Sequence, residues 1–110
     1  MPEDLSREVI RSHMKKQFGL SGEQIDALLP SFMVTLAGYV EELGTLFEAG
    51  DHKELGRVAH TTKGALLNLG LHDQAELAKD IELRAKAGSE LVELEADFKK
   101  LRASLEPLLD

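Results

Sequence analysis

The sequence contains no cysteine and no long apolar run. The lack of cysteine excludes disulfides, thiol catalysis and cysteine-ligated zinc. No window approaches the roughly 18 consecutive apolar residues of a membrane-spanning helix. The N-terminal segment MPEDLSREVI is acidic and lacks the apolar stretch of a secretory signal. We therefore expect a cytoplasmic protein without a membrane segment.

Size and charge limit the partners that the chain can bind. Its 110 residues suffice for one domain with a modest core, and 43% hydrophobic residues argue against disorder. The net charge of -7 disfavours sequence-independent binding to nucleic acid or anionic membranes, since both need a clustered cationic surface. A local basic patch is still compatible with this charge. We expect neither nucleic acid nor a membrane among the partners.

Strand signals are nearly absent, because aromatic residues make up only 5% and no stretch alternates apolar and polar residues for long. Apolar residues instead recur at helical spacing almost everywhere, which predicts an all-α fold. Short connections between long amphipathic helices force neighbours to run antiparallel. We predict an up-down four-helix bundle over about 21–109, with an additional N-terminal helix over about 3–18 packed across one end. Residues 1–110 then form a single domain.

Cap residues set the predicted helix boundaries. Ser21 begins the second helix as the first residue of a capping box, Gly50-Asp51 separates it from the third, and Gly70 and Gly88 mark the next two breaks. Pro30 lies inside the second helix, where the continuing apolar period predicts a bent but continuous helix. The residues expected to face the core are Leu5, Val9, Phe18, Ile25, Leu29, Phe32, Leu36, Val40, Leu43, Phe47, Leu55, Val58, Ala59, Thr62, Leu66, Leu69, Leu77, Ala78, Ile81, Ala85, Leu91, Leu94, Phe98, Leu101, Leu105 and Leu108.

The segment AHTTKGALLNLG places His60 on the outward face of the third helix. A helical wheel puts Gly56 and Gly64 one turn before and after it on that face, with Lys63 and Leu67 nearby. Each glycine costs a helix about 1 kcal/mol relative to alanine, so we expect the space to serve access to the imidazole. An exposed imidazole beside a cation suits a nucleophile that accepts an anionic group, most naturally phosphoryl.

Two other interpretations of the histidines compete with this one. A solvent-facing histidine is commonly an ordinary surface residue, and the physical argument alone leaves that interpretation and a functional site equally supported. His13, His52 and His72 raise the question of a metal site with His60. No pair has the i,i+3 or i,i+4 spacing of helix-borne ligands, so we predict no metal site.

AHTTKGALLNLG also resembles the signature of histidine-containing phosphotransfer (HPt) domains, in which His-x-x-Lys-Gly and a later glycine surround the phosphorylated histidine. These positions correspond to His60, Lys63, Gly64 and Gly70. The similarity extends over about residues 25–109, including the Ala-Gly-Asp turn before the third helix. A motif of this kind within a matching helical layout is a fairly specific signal.

The resemblance implies a phosphorelay intermediate of two-component signalling. His60 would take a phosphoryl group from the aspartate of one receiver domain and pass it to another, through Nε2. Lys63 would offset charge on the phosphohistidine, and Gly64 would let the receiver close over the ring. Gly56 lies outside the motif, and the helical wheel alone assigns it and Leu67 to the docking surface. The expected partners are response-regulator receivers and a histidine or hybrid kinase. We expect a monomer without ATP-dependent kinase activity and without a cofactor, because the receiver would supply the Mg²⁺.

Three departures from the family pattern concern the third and fourth helices. Leu66 and Leu67 are bulkier than the small residues that the family often has at these positions. Thr62 replaces an aliphatic residue, and its hydroxyl can bond to a carbonyl one turn back. Antiparallel packing brings Glu82 opposite His60, where the family often has glutamine or another polar residue. A carboxylate there can hydrogen-bond the resting imidazole but would repel a phosphoryl group, unless Lys79 and Lys86 compensate. The alternative is a solvated face with i,i+4 ion pairs.

Three hypotheses remain open at the level of the sequence. The leading one is a stand-alone HPt protein, favoured by a chain that starts at Met1 and ends soon after its last predicted helix. The second is an HPt module of a hybrid or chemotaxis-type kinase. The third is a helical adaptor that binds a partner around Leu67 without being phosphorylated.

Overall fold

The computed structural model describes residues 2–88 and 90–109, and within these the side chains of all but residues 2–6 and 91. The described chain forms five helices and no strand. They are α1 (Pro2–Phe18), α2 (Gly22–Ala49), α3 (His52–Asn68), α4 (His72–Lys86) and α5 (Leu91–Leu109). The all-α prediction is confirmed, with helix boundaries within a few residues of those expected. None of the helices in this described part is long and apolar enough to cross a membrane.

Local hydrogen bonds explain why α2 and α3 begin where they do. The Ser21 hydroxyl accepts a bond from the Gln24 backbone N–H, and the Gln24 side chain accepts one from the Ser21 backbone N–H, which completes the predicted capping box. The Asp51 carboxylate accepts a bond from the Glu54 backbone N–H and so caps α3. Between them, Gly50 adopts the left-handed conformation with φ of 69° that ends α2.

The four helices α2 to α5 form a closed ring in which each packs on the next and α5 returns to α2. Their apolar faces meet in one core, where the rings of Phe47 and Phe98 lie 4.9 Å apart. This is the predicted up-down four-helix bundle, and short turns enforce its antiparallel order. The bundle core contains Ile25, Leu36, Leu43, Leu55, Val58, Leu66, Ile81, Leu94, Leu101 and Leu105 among its most buried side chains.

The turn between α3 and α4 anchors the N-terminal helix. Gly70 has a φ of 77°, and the N–H groups of Gly70 and Leu71 donate back to carbonyls of the last turn of α3. A Cβ at Gly70 would lie 2.6 Å from Cγ of His13, so the turn has room for α1 only because it holds a glycine. His13 also packs edge-on against the ring of His72 at 6.2 Å between centroids. These contacts place α1 across one end of the bundle, as predicted.

The face of α1 that packs on the bundle differs from the predicted one. Val9 and Phe18 are exposed, while Ile10 and Met14 are buried. The prediction for Val9 and Phe18 is therefore wrong. α1 crosses the end of the bundle and contacts α2 and α5, so its buried stripe is set by that crossing. Leu5, which was assigned to the same face, has a side chain outside the described part of the structure.

α2 follows the prediction at Pro30 but not at Phe32. The helix continues through Pro30, as the uninterrupted apolar period indicated. Phe32 was expected in the core and is 40% exposed, because it lines an open apolar cleft between α1, α2 and α3. The other six predicted core residues of α2 are buried. The side chain of Leu91 on α5 lies outside the described residues.

Candidate functional site

His60 lies on the outer face of α3 with 64% of its side chain exposed. Gly64 follows one turn later, and a Cβ built on it would meet nothing within 4 Å. Leu67, one turn further along, is also exposed. The predicted open approach to the imidazole from the C-terminal half of α3 is therefore present.

A buried carboxylate on α4 forms a hydrogen bond with the imidazole of His60. Glu82 is only 6% exposed at its side chain, and its Oε2 lies 2.9 Å from Nδ1 of His60. The predicted placement of Glu82 opposite His60 is confirmed, and so is a hydrogen bond between them in the resting state. The predicted alternative of an ordinary solvated face does not describe this position, because the carboxylate is buried between two helices.

Two lysines also form ion pairs with this carboxylate. Nζ of Lys63 lies 3.1 Å from Oε1, and Nζ of Lys86 lies 2.8 Å from Oε2. Burial by itself raises the pKa of Glu82, but the hydrogen bonds from Lys86, Lys63 and His60 outweigh it and lower the pKa to about 2. Glu82 is therefore ionised at neutral pH.

The charge of Glu82 determines which nitrogen of His60 carries a proton. An ionised carboxylate can only accept hydrogen bonds, so Nδ1 must be the donor. In the neutral ring, Nε2 then holds the free lone pair. Because Nδ1 is committed to Glu82 and the ring is largely exposed, Nε2 is the nitrogen available to an incoming reactant.

Thr62 makes the contact that the sequence analysis anticipated for a threonine inside a helix. It is fully buried, and its hydroxyl donates to the carbonyl of Val58 at 2.7 Å. The polar group is satisfied within its own helix. Thr62 therefore occupies the core side of α3 while His60 occupies the outer side.

The position of Gly56 corrects its predicted role. It was expected on the exposed face beside His60, but it is buried between α3 and α4. A Cβ there would lie 3.5 Å from Cγ of Lys86 and 3.7 Å from Cβ of Ala85. Gly56 therefore lets the C-terminal part of α4 approach α3 closely and does not open a path for a partner. The small Ala85 on the facing helix was the available signal for this packing.

Lys79 does not take the place expected for it beside Glu82. It is exposed, and it has no hydrogen bond or ion pair within residues 2–88 and 90–109. Lys63 reaches Glu82 from α3 instead. The prediction that Lys79 compensates the carboxylate is therefore wrong, whereas that for Lys86 is correct in its placement. A helical wheel of α4 alone does not show that α3 supplies a lysine to Glu82.

A groove that the sequence did not predict lies next to His60. It has a volume of about 760 Å³ and runs between the N-terminal half of α3 and the end of α4. Lys53 and Arg57 line it from α3, and Lys86 lines it from α4. The signal was available, since Lys53 and Arg57 precede His60 by seven and three residues and so share its side of the helix.

Of the remaining histidines, two lie apart from this site and one lines the groove beside it. His13 and His72 meet at the end of the bundle that α1 covers, and the groove contacts His52. Within the described residues, no group of three or more histidine, cysteine or acidic side chains is arranged to hold a metal ion.

A family model described as Hpt domain matches residues 27–109. Neither the curated proteins nor the solved structures gave a significant match. The matched span contains α3 and α4 with the entire site around His60, and it excludes α1.

Proposed function

Because this chain belongs to the Hpt domain family, whose members transfer phosphoryl groups in two-component signalling, we propose that His60 carries the phosphoryl group here. The observation that supports this most directly is the pairing of Nδ1 with a buried, ionised Glu82 on an otherwise exposed ring. In the neutral ring this pairing leaves the lone pair on Nε2, the accessible nitrogen, which is what a nucleophile requires.

The proposed step is attack by the Nε2 lone pair on the phosphorus of a receiver's phosphoaspartate. The N–P bond forms as the P–O bond to the aspartate breaks, and the aspartate leaves as a carboxylate with the bonding electrons. The proton on Nδ1 stays in place, so the phosphorylated ring gains positive charge. Glu82 stabilises that charge at 2.9 Å.

This distribution of charge resolves the repulsion expected between Glu82 and a phosphoryl group. The carboxylate faces the cationic side of the ring, while the phosphoryl group is bound to the opposite nitrogen. Lys63 and Lys86 stand beside the same carboxylate and are the cations available to offset the negative charge on the phosphoryl oxygens. Lys63 follows His60 by one turn of the same helix and is 25% exposed.

We further propose that His60 passes the group to the aspartate of a second receiver by the reverse of this step. The open surface at Gly64 and Leu67 would let a receiver approach the ring. The receivers would supply the Mg²⁺ that phosphoryl transfer requires, and the phosphate would originate from a histidine kinase or hybrid kinase. We propose that the protein is a cytoplasmic monomer with no kinase activity of its own.

Two alternatives share parts of this picture. A module of a hybrid or chemotaxis-type kinase would use the same residues in the same chemistry. An adaptor that binds a partner around Leu67 would use the exposed surface without phosphorylation. Family membership and the geometry of Glu82 favour phosphotransfer over the adaptor, because an adaptor has no need for a tautomer fixed by a buried charge.

The test of this proposal uses receiver domains phosphorylated with ³²P on their aspartates. After mixing, we expect label on the parent protein that is lost in acid and retained in base, as is characteristic of phosphohistidine. His60→Gln should take up no label and keep its fold. His13→Gln and His72→Gln are the matched controls, since both rings lie at the α1 end of the bundle.

Two results would contradict the assignment. Label on His60→Gln at the parent rate would place the phosphoryl group on another residue. If the parent took up no label from any receiver, and none from phosphoramidate as a small-molecule donor, the adaptor interpretation would be favoured.

A further inference from the structure

The helix that holds His60 is basic in an acidic chain. α3 carries Lys53, Arg57 and Lys63 against one acidic residue, Glu54. The preceding helix, α2, has five acidic residues and no lysine or arginine, and the whole chain has a net charge of -7. The element that presents the proposed phosphoacceptor therefore carries more basic than acidic side chains.

Two of the basic side chains of α3 and one of α4 border the groove next to His60. Lys53, Arg57 and Lys86, together with Glu54, define what we call the basic groove. It starts at His60 and extends toward the N-terminus of α3, away from Gly64 and Leu67. It is thus a different surface from the open approach on the C-terminal side of the ring.

The cations of the basic groove are only partly neutralised. Nε of Arg57 pairs with Glu54 at 3.0 Å and Nζ of Lys86 pairs with Glu82 at 2.8 Å. Glu42 of α2 approaches Arg57 to 3.9 Å without lining the groove. Lys53 is exposed and has no ion pair within the described part of the chain.

We infer that the basic groove docks the acidic surface around the receiver's reactive aspartate and thereby orients the receiver on His60. This inference rests on the proposed function. A phosphoaspartate that reacts with Mg²⁺ is surrounded by further carboxylates that hold the cation. Together with the phosphoryl group, these carboxylates leave that surface negatively charged, which complements the groove.

The location of the groove determines which kinetic step it affects. Lys53 precedes His60 by about two turns, roughly 10 Å along the helix, so it contacts neither the phosphorus nor the imidazole. Charges at that range steer and orient association, and salt screens them over a Debye length of about 10 Å at 0.1 M. We expect Lys53 to act on KM and on kcat/KM, and to leave kcat for bound receiver nearly unchanged.

Charge reversal at Lys53 tests the inference. The parent, Lys53→Glu and Lys100→Glu are labelled with phosphoramidate, and transfer to a purified receiver is followed by rapid quench at several receiver and salt concentrations. Lys100 is the control, because it is exposed on α5, away from the groove, and gives the same change in net charge. We expect Lys53→Glu to lower kcat/KM about five- to tenfold at low salt through KM, and Lys100→Glu to change it less than twofold. Added 0.5 M salt should remove most of the difference.

The outcomes separate this inference from the proposed function. If the parent transfers label but Lys53→Glu behaves like Lys100→Glu, the groove does not dock the receiver while His60 remains the phosphoacceptor. A loss in Lys53→Glu that salt does not reduce would also overturn the electrostatic role. If the parent cannot be labelled on His60 at all, the proposed function itself fails, and this inference with it.

Discussion

Replacing Glu82 with glutamine removes the charge of the buried carboxylate while keeping nearly the same shape. In the folded protein the pKa of Glu82 is about 2, compared with 4.5 for the free group. A difference of this size favours the ionised form in the folded state by about 3 kcal/mol, since one pKa unit corresponds to about 1.4 kcal/mol. At neutral pH, glutamine would also leave Lys63 or Lys86 facing an amide N–H group. We expect Glu82→Gln to be less stable than the parent by about 1–3 kcal/mol at pH 7.

The pH dependence isolates the contribution of this charge. Because folding lowers the pKa of Glu82, its stabilisation is complete above the unfolded pKa of 4.5 and is lost as the pH falls through 2. By pH 3 only about 1 kcal/mol of it remains. The difference in unfolding free energy between parent and variant should therefore shrink by about 2 kcal/mol between pH 7 and pH 3.

Urea unfolding of both proteins at the two pH values measures this difference. The other carboxylates titrate in both proteins, so their contributions cancel in the subtraction. A difference that is the same at pH 7 and pH 3 would refute the conclusion that Glu82 is buried as a charge held by the cations around it.

Three further predictions concern single positions near the site. Lys63→Ala should slow transfer about tenfold in a rapid-quench assay, because it removes one charge-assisted contact from a partly exposed site, and an unchanged rate would exclude this role. Gly64→Gln should stabilise α3 by somewhat under 1 kcal/mol in thermal unfolding, because glutamine is a better helix former than glycine. It should nevertheless impair transfer, since its side chain would fill the open space beside His60. Gly56→Ala is the paired variant and should transfer normally, because its Cβ fits at ordinary contact distances. Gly70→Ala should lower stability by about 1–3 kcal/mol, because φ is 77° and its Cβ would meet His13 at 2.6 Å; a variant that unfolds like the parent would contradict this.

Most of the fold could be predicted because local chemistry and periodicity agree along the chain. Local residue type alone favours helix caps at Ser21 and Asp51 and a helix end at Gly50, and all three residues take these predicted roles. The stripe of α3 is read correctly because the helix packs on the bundle along its whole length. α1 was misread because its contacts are made where it crosses the bundle end, and its own apolar pattern does not specify the angle of that crossing.

The site shows the same division between what one helix encodes and what two helices encode. The exposure of His60 and Gly64 follows from the period of α3 alone. Gly56 is buried, and Lys63 contacts Glu82, because α3 and α4 lie close together. A helical wheel of one helix does not show the distance to its neighbour. The low pKa of Glu82 likewise results from hydrogen bonds with three side chains, two of which belong to α3.

The most direct test of the account is to determine which nitrogen of His60 carries the proton and which carries the phosphoryl group. The measurement is ¹⁵N NMR of the histidine-labelled protein at about pH 8, before and after phosphorylation with phosphoramidate. We predict that His60 is protonated at Nδ1 at rest, that the phosphoryl group is on Nε2, and that the Nδ1 proton is retained. A phosphoryl group on Nδ1 of His60, or on any other residue, would contradict the account.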